Sequence, residues 1–159
     1  MVIDKVIDPV RAAETAALGV GAEAPAALPI IRYHHVRLPV ADLDRSVDFY
    51  RSVLGYEPDF PFRVDGVIRG WALHHPSGVD LTLMLDPERA KAAAGFQGLS
   101  FLLPNEASLR ALAVTLTERG LPHGGIVEGL AGFKLPEVSD PDGHLLGFYM
   151  AGQRSRTPV

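Results

Sequence analysis

The chain has 159 residues, 47% of them hydrophobic, and a formal charge of −4, enough apolar content for one compact domain with a real core. Its 15 basic residues are scattered and it has no cysteine, which excludes a basic nucleic-acid footprint, disulfides, thiolate metal sites and a cysteine nucleophile. No apolar run approaches the ~20 residues of a membrane span, and Asp4 and Lys5 interrupt the apolar start, so a cytoplasmic protein with no membrane partner is expected.

Residues 1–30 are expected to form an N-terminal arm and linker. Good helix formers fill 9–18, with Asp8 as N-cap and Gly19 as stop, and 21–29 is rich in Ala, Pro and Gly. The arm is expected to pack on a partner subunit or over a pocket mouth.

From residue 33 to 40 the sequence alternates, with Val36, Leu38 and Val40 on one face and His35, Arg37 and Pro39 on the other. That is a half-buried strand. Asp42 then caps a helix over 43–54, with Leu43, Val47, Tyr50 and Leu54 on one stripe and Gly55 as its end. Strands are expected over 57–62, 67–74 and 79–85, separated by Asp65-Gly66 and Pro76-Ser77-Gly78.

The same order then recurs: a strand over 98–103, a helix over 107–119 ended by Gly120, and strands over 124–128, 133–139 and 144–150. Pro141-Asp142-Gly143 stands where Pro76-Ser77-Gly78 stood in the first half. The fold class is therefore α+β, two paired βαβββ modules at about 31–86 and 97–151, followed by a tail at 152–159. Neither module buries both faces of its sheet alone, so pairing solves a burial problem. With helices outside, the concave side presents His35, Arg37, His74, Asp80, Thr82, Met84, Gly98, Ser100, Leu145, Gly147 and Tyr149.

The segment His35-Val36-Arg37-Leu38-Pro39-Val40-Ala41-Asp42-Leu43, continued to Tyr56, together with Asp140-Pro141-Asp142-Gly143, resembles the vicinal oxygen chelate superfamily. This is the group of glyoxalases, bleomycin-resistance proteins and extradiol dioxygenases. The resemblance covers about residues 31–151 as a single domain. It implies a cupped open barrel around a small-molecule site, a homodimer, and in the metalloenzymes a divalent ion such as Fe, Zn, Mn or Ni. By the same resemblance, the ion's ligands fall on the first and last strands of each module, here His35, Thr82, Gly98 and Gly147. Only His35 carries a donor that the family uses. Glycine has no side chain, and one imidazole with a hydroxyl holds metal weakly. No cofactor is therefore the favoured expectation, with His35, His74 and Asp80 as a fallback metal trio.

Two functions fit these residues. One is a binder of a small, largely apolar or aromatic molecule. There Gly98 and Gly147 widen the cavity, Met84, Leu102, Leu145 and Tyr149 give apolar contact, and His35 and Arg37 orient the ligand. His74, Asp80, Thr82 and Ser100 complete that lining. The other is an enzyme: metal-free, with His35 as acid or base and Arg37 stabilising an enolate or carboxylate, or metal-dependent through the trio. Arg37 paired with Asp80 is an equally bland alternative. His34 and His75 fall on the wrong face, His144 is expected to be exposed, His123 reads as a loop residue, and Trp71 as core. No histidine stands at motif spacing from Ser46 or Ser100, which leaves no nucleophilic triad.

Overall fold

The computed structural model describes residues 33–129 and 132–150. The readings made for 1–30 and 152–159 lie outside the described residues. From Tyr33 onward the chain clusters as one unit.

The first module runs β1 (Val36–Val40), α1 (Leu43–Leu54), β2 (Glu57–Val64), β3 (Val67–His74) and β4 (Leu81–Leu85). A connecting helix, α2 (Pro87–Ala93), leads to the second: β5 (Gln97–Leu103), α3 (Glu106–Glu118), β6 (Val127–Gly129), β7 (Gly132–Ser139) and β8 (Leu145–Met150). Each module is a four-stranded sheet, in orders β1-β4-β3-β2 and β5-β8-β7-β6. In each, the first strand pairs in parallel with the last, Val36 with Leu81 and Phe101 with Phe148. A parallel pair cannot be joined by a tight turn, so the helix and two antiparallel strands serve as the crossover. The two sheets are curled rather than closed into a barrel.

Local chemistry accounts for the helix limits. Asp42 is extended (φ −144, ψ 113) and accepts a hydrogen bond from the Arg45 N–H, supplying one of the first turn's missing partners. Gly55 adopts φ +77 at the end of α1, a left-handed conformation that costs glycine little, and its N–H closes on the Arg51 carbonyl. Asn105 caps α3 in the same way, accepting from the Ser108 N–H at 2.9 Å.

One apolar cluster spans both modules. Leu38, Val40, Leu73, Leu81 and Leu83 meet Phe49 and Tyr50 of α1, while Leu99, Leu135, Leu146 and Phe148 meet Leu109 and Leu116 of α3. Trp71 packs against this cluster, as expected. Each wholly buried leucine contributes on the order of 2 kcal/mol.

The structure corrects several boundaries. The expected strand over 33–40 begins at Val36, and that over 79–85 begins at Leu81. Residues 79 and 80 instead belong to a turn in which the Asp80 carboxylate accepts from the His75 N–H at 3.1 Å. The strand expected over 124–128 is reduced to Val127–Gly129, because Gly124 and Pro122 spend their backbone groups on Pro136 and Ser139. Helix α2 was not anticipated, although Asp86 as N-cap and Pro87 in the first turn are its signals. His144, expected to be exposed, is 5% exposed.

Candidate functional site

The concave face is built from the strand positions that alternate with the core residues. In the first module Arg37 pairs with Thr82 and Pro39 with Met84, while Thr82 and Met84 pair onward with Ala72 and Gly70 of β3. In the second, Ser100 pairs with Gly147 and Leu102 with Tyr149. Arg37 and Ser100 are exposed, Met84 and Leu145 half-buried, and Thr82 and Gly147 buried. Phe96, Leu102 and Tyr149 are large apolar residues left 69%, 71% and 38% exposed. They form apolar surface on a module whose opposite face is already packed.

The candidate polar residues divide into separate pairs. His35 precedes β1, is exposed, and has its Nδ1 2.7 Å from the Nδ1 of His34. His74 Nδ1 lies 2.9 Å from an oxygen of Asp80, which also accepts from the backbone of His75. Asp80 is thus taken by its own turn, and the alternative Arg37–Asp80 ion pair is not made among the described residues. No group of three or more His, Cys, Asp or Glu side chains stands together for a metal among the described residues. The fallback trio His35, His74 and Asp80 is therefore not assembled.

The four positions at which relatives of this kind would ligate an ion do not fit one here. Thr82 offers a hydroxyl, Gly98 and Gly147 offer nothing, and His35 alone is too few donors for a stable site. The space above Gly98 admits a Cβ at ordinary contact distance, while that above Gly147 is occupied by the end of the exposed Gln97 side chain. A Cβ on Gly98 would meet the Phe96 ring at 3.4 Å, and a Cβ on Gly147 would meet the Gln97 amide nitrogen at 2.5 Å. The expectation that both glycines widen the cavity is corrected at 147, where the Gln97 amide fills the room and reaches Ser100 Oγ at 3.4 Å. Gln97 was missed because the pairing of β5 with β8 slips between Gln97 and Leu99. Such a bulge re-aims a side chain that strict alternation misplaces.

The densest polar network lies elsewhere, in the turn between β7 and β8. Asp142 Oδ1 accepts from the Ala41 N–H and from Arg45 Nη2, each at 3.0 Å, and Oδ2 accepts from Ser46 Oγ at 3.0 Å. Asp140 accepts from the backbones of Asp142 and His144 at 2.9 Å and from the Tyr50 hydroxyl at 2.8 Å. The His144 ring donates through Nε2 to the Pro39 carbonyl at 2.7 Å. This explains the burial of His144 and shows what the Asp-Pro-Asp-Gly motif does: it fastens the second module onto the β1–α1 corner of the first. Burial holds the Asp140 carboxyl above its ordinary range, against the opposing pull of His144 and the donated hydrogen bonds. Burial, and then Asp140, push the Tyr50 hydroxyl well above its usual value, keeping it a donor.

The model of the Glyoxalase/Bleomycin resistance protein/Dioxygenase superfamily matches residues 32–148. No curated protein matches the sequence significantly. Among solved structures, a member of this superfamily from Sphaerobacter thermophilus is 26% identical, with TM-score 0.63 over 77% of this chain and 99% of that one. An antibiotic-binding protein from Streptomyces sp. CB03234 is 20% identical, with TM-score 0.63 over 79% and 100%. A fosfomycin resistance protein from Listeria monocytogenes is 14% identical, with TM-score 0.65 over 78% and 96%. Fold, motif and model agree, and the chain belongs to the Glyoxalase/Bleomycin resistance protein/Dioxygenase superfamily.

Proposed function

We propose that this chain binds a small, largely apolar or aromatic molecule on its concave face, without the divalent ion that metalloenzymes of the fold use. The observation that carries this reading is the Gln97 amide lying over Gly147, where a ligating carboxylate would otherwise stand. A neutral amide there, beside Ser100, offers hydrogen bonds to a ligand but no anionic donor to a cation. Leu102 and Tyr149 supply adjacent apolar contact on the same face, and Arg37 supplies a charge for an acidic or carbonyl group at its edge. The antibiotic-binding neighbour supports the reading at the level of scaffold alone, since one fold hosts many functions. A homodimer would enclose the exposed apolar residues of this face, and a cytoplasmic protein of this kind fits a sequestering role.

The test is thermal stabilisation by a panel of aromatic, antibiotic-like compounds, repeated with Tyr149→Ala and His35→Ala. The reading expects a stabilising compound whose effect falls in Tyr149→Ala and changes only modestly in His35→Ala. A compound that is turned over, with the rate lost by orders of magnitude in His35→Ala while binding persists, would replace this reading with the acid–base enzyme.

A further inference from the structure

We infer that the cleft between the two modules, on the opposite flank from the Asp142 fastening, is a second small-molecule site, specific for a neutral aromatic ligand with a hydrogen-bond acceptor. The turn after β3 faces the β5–α3 corner just as the turn after β7 faces the β1–α1 corner, since Ser77 and Val79 line one cavity with Leu103 and Ser108. The two turns behave differently. The side-chain hydrogen bonds of the first-module turn stay within residues 74–80 among the described residues. This corner opens into a cavity of about 460 Å³, inside the range of small-molecule sites, whereas the cleft beside the Asp142 fastening is lined by the charged groups of Arg45, Asp48, Arg119, Asp140 and Asp142.

The lining sets the chemistry. Leu54, Leu112 and Phe148 give it an apolar floor, and no Lys, Arg, Asp or Glu is among the lining residues. An anion or a cation would be desolvated there without a counter-charge, which is costly, so the ligand is neutral. The cavity's polar groups are the hydroxyls of Ser77, Ser100 and Ser108, the His75 ring, and Tyr56, and it adjoins the concave face at Ser100 and Leu102, which border both. Tyr56 is the telling one. It is 2% exposed, and among the described residues its hydroxyl is the one buried side-chain polar atom with no hydrogen-bond partner. An orphaned buried hydroxyl costs about 1–3 kcal/mol and calls for an explanation. Burial, helped by Asp80, raises its pKa well above the ordinary tyrosine value, so it stays protonated as a donor and an acceptor oxygen is the partner that it lacks. The half-buried His75 ring, 4.9 Å from the Tyr56 ring, offers stacking surface at the same place.

The probe is prodan, a neutral naphthyl ketone whose emission shifts to the blue in an apolar site, with naphthalene as the analogue that has no carbonyl. Prodan should bind at one equivalent with a blue shift and be lost in Val79→Trp, which fills the cleft from an exposed loop. Tyr56→Phe should weaken it about threefold to tenfold, the worth of one hydrogen bond, while leaving naphthalene affinity and the stability of the free protein undiminished. Tyr149→Ala, on the concave face, should change nothing. Loss of prodan in Tyr149→Ala but not in Val79→Trp would place it on the concave face and overturn the second site, leaving the proposed function standing. No saturable binding, equal effects of Tyr56→Phe on prodan and naphthalene, or a Val79→Trp variant that changes oligomeric state and so marks the cleft as an interface between copies, would each overturn it too.

Discussion

At the β1–α1 corner, the turn carrying Asp140, Asp142 and His144 is held by hydrogen bonds to Pro39, Ala41, Arg45, Ser46 and Tyr50. At the β5–α3 corner the equivalent turn carries His75, Ser77 and Val79, makes its side-chain bonds with itself, and borders a cavity. The same supersecondary unit, used twice, is thus tied across the modules by buried carboxylates at one corner and, at the other, left untied and open to a cavity without charged lining. A tyrosine marks each. Tyr50 finds Asp140, whereas Tyr56 finds no partner. The difference teaches that the most recognisable acidic motif of this chain is a fastening between modules. Chemistry has to be sought where the fastening is missing and on the concave face.

The largest expected effect breaks the fastening. Asp142→Ala removes the acceptor for three hydrogen bonds, one from a guanidinium, and should cost about 3 kcal/mol in urea denaturation. Ser77→Ala at the other corner should change stability by less than about 0.5 kcal/mol. Equal losses would erase the contrast.

A subtler pair of substitutions makes one chemical change at both corners. Tyr50→Phe strips Asp140 of a buried donor and should cost about 1–2 kcal/mol. Tyr56→Phe removes a hydroxyl that bonds to nothing, and should be neutral or slightly stabilising by the same denaturation measurement. A Tyr56→Phe loss as large as that of Tyr50→Phe would mean that the hydroxyl is satisfied in solution.

The smallest effect is in pH. Asp140 has a folded pKa raised from 3.8 by burial, so the folded state holds this proton to higher pH than the unfolded chain. Its favourable contribution is complete below 3.8 and declines as pH rises from there through the raised folded value. Asp140→Asn should therefore flatten the downward slope of stability with pH in that window, while Asp80→Asn, at the open corner, should leave that component in place. Equilibrium unfolding at a series of acidic pH values reads both.

Much of this was legible in the sequence because it is local. Asp42 and Gly55 announce helix ends through bonds spanning a few residues, and the alternation of Val36, Leu38 and Val40 reports a buried face directly. The strand Val67–His74 matched its expected bounds for that reason. What was hidden depends on partners far along the chain. His144 reads as a turn residue until Pro39, 105 positions away, accepts its ring proton. Asp142 reads as part of a turn until it meets Ser46, 96 positions away. The role of Gln97 follows from a slip in strand register that no alternation pattern records. The candidate site was legible as a list of inward-facing positions, but which of them meet was not, since His35 goes to His34 and His74 to Asp80.

The most direct test of the central claim is metal content per chain, measured by elemental analysis on protein purified without a histidine tag and then challenged with Fe, Zn, Mn and Ni. Gln97 over Gly147, a glycine at 98 and a lone exposed His35 predict no ion retained near one equivalent. A stoichiometric ion that is lost in His35→Ala would contradict the account and make this chain a metalloprotein of its superfamily.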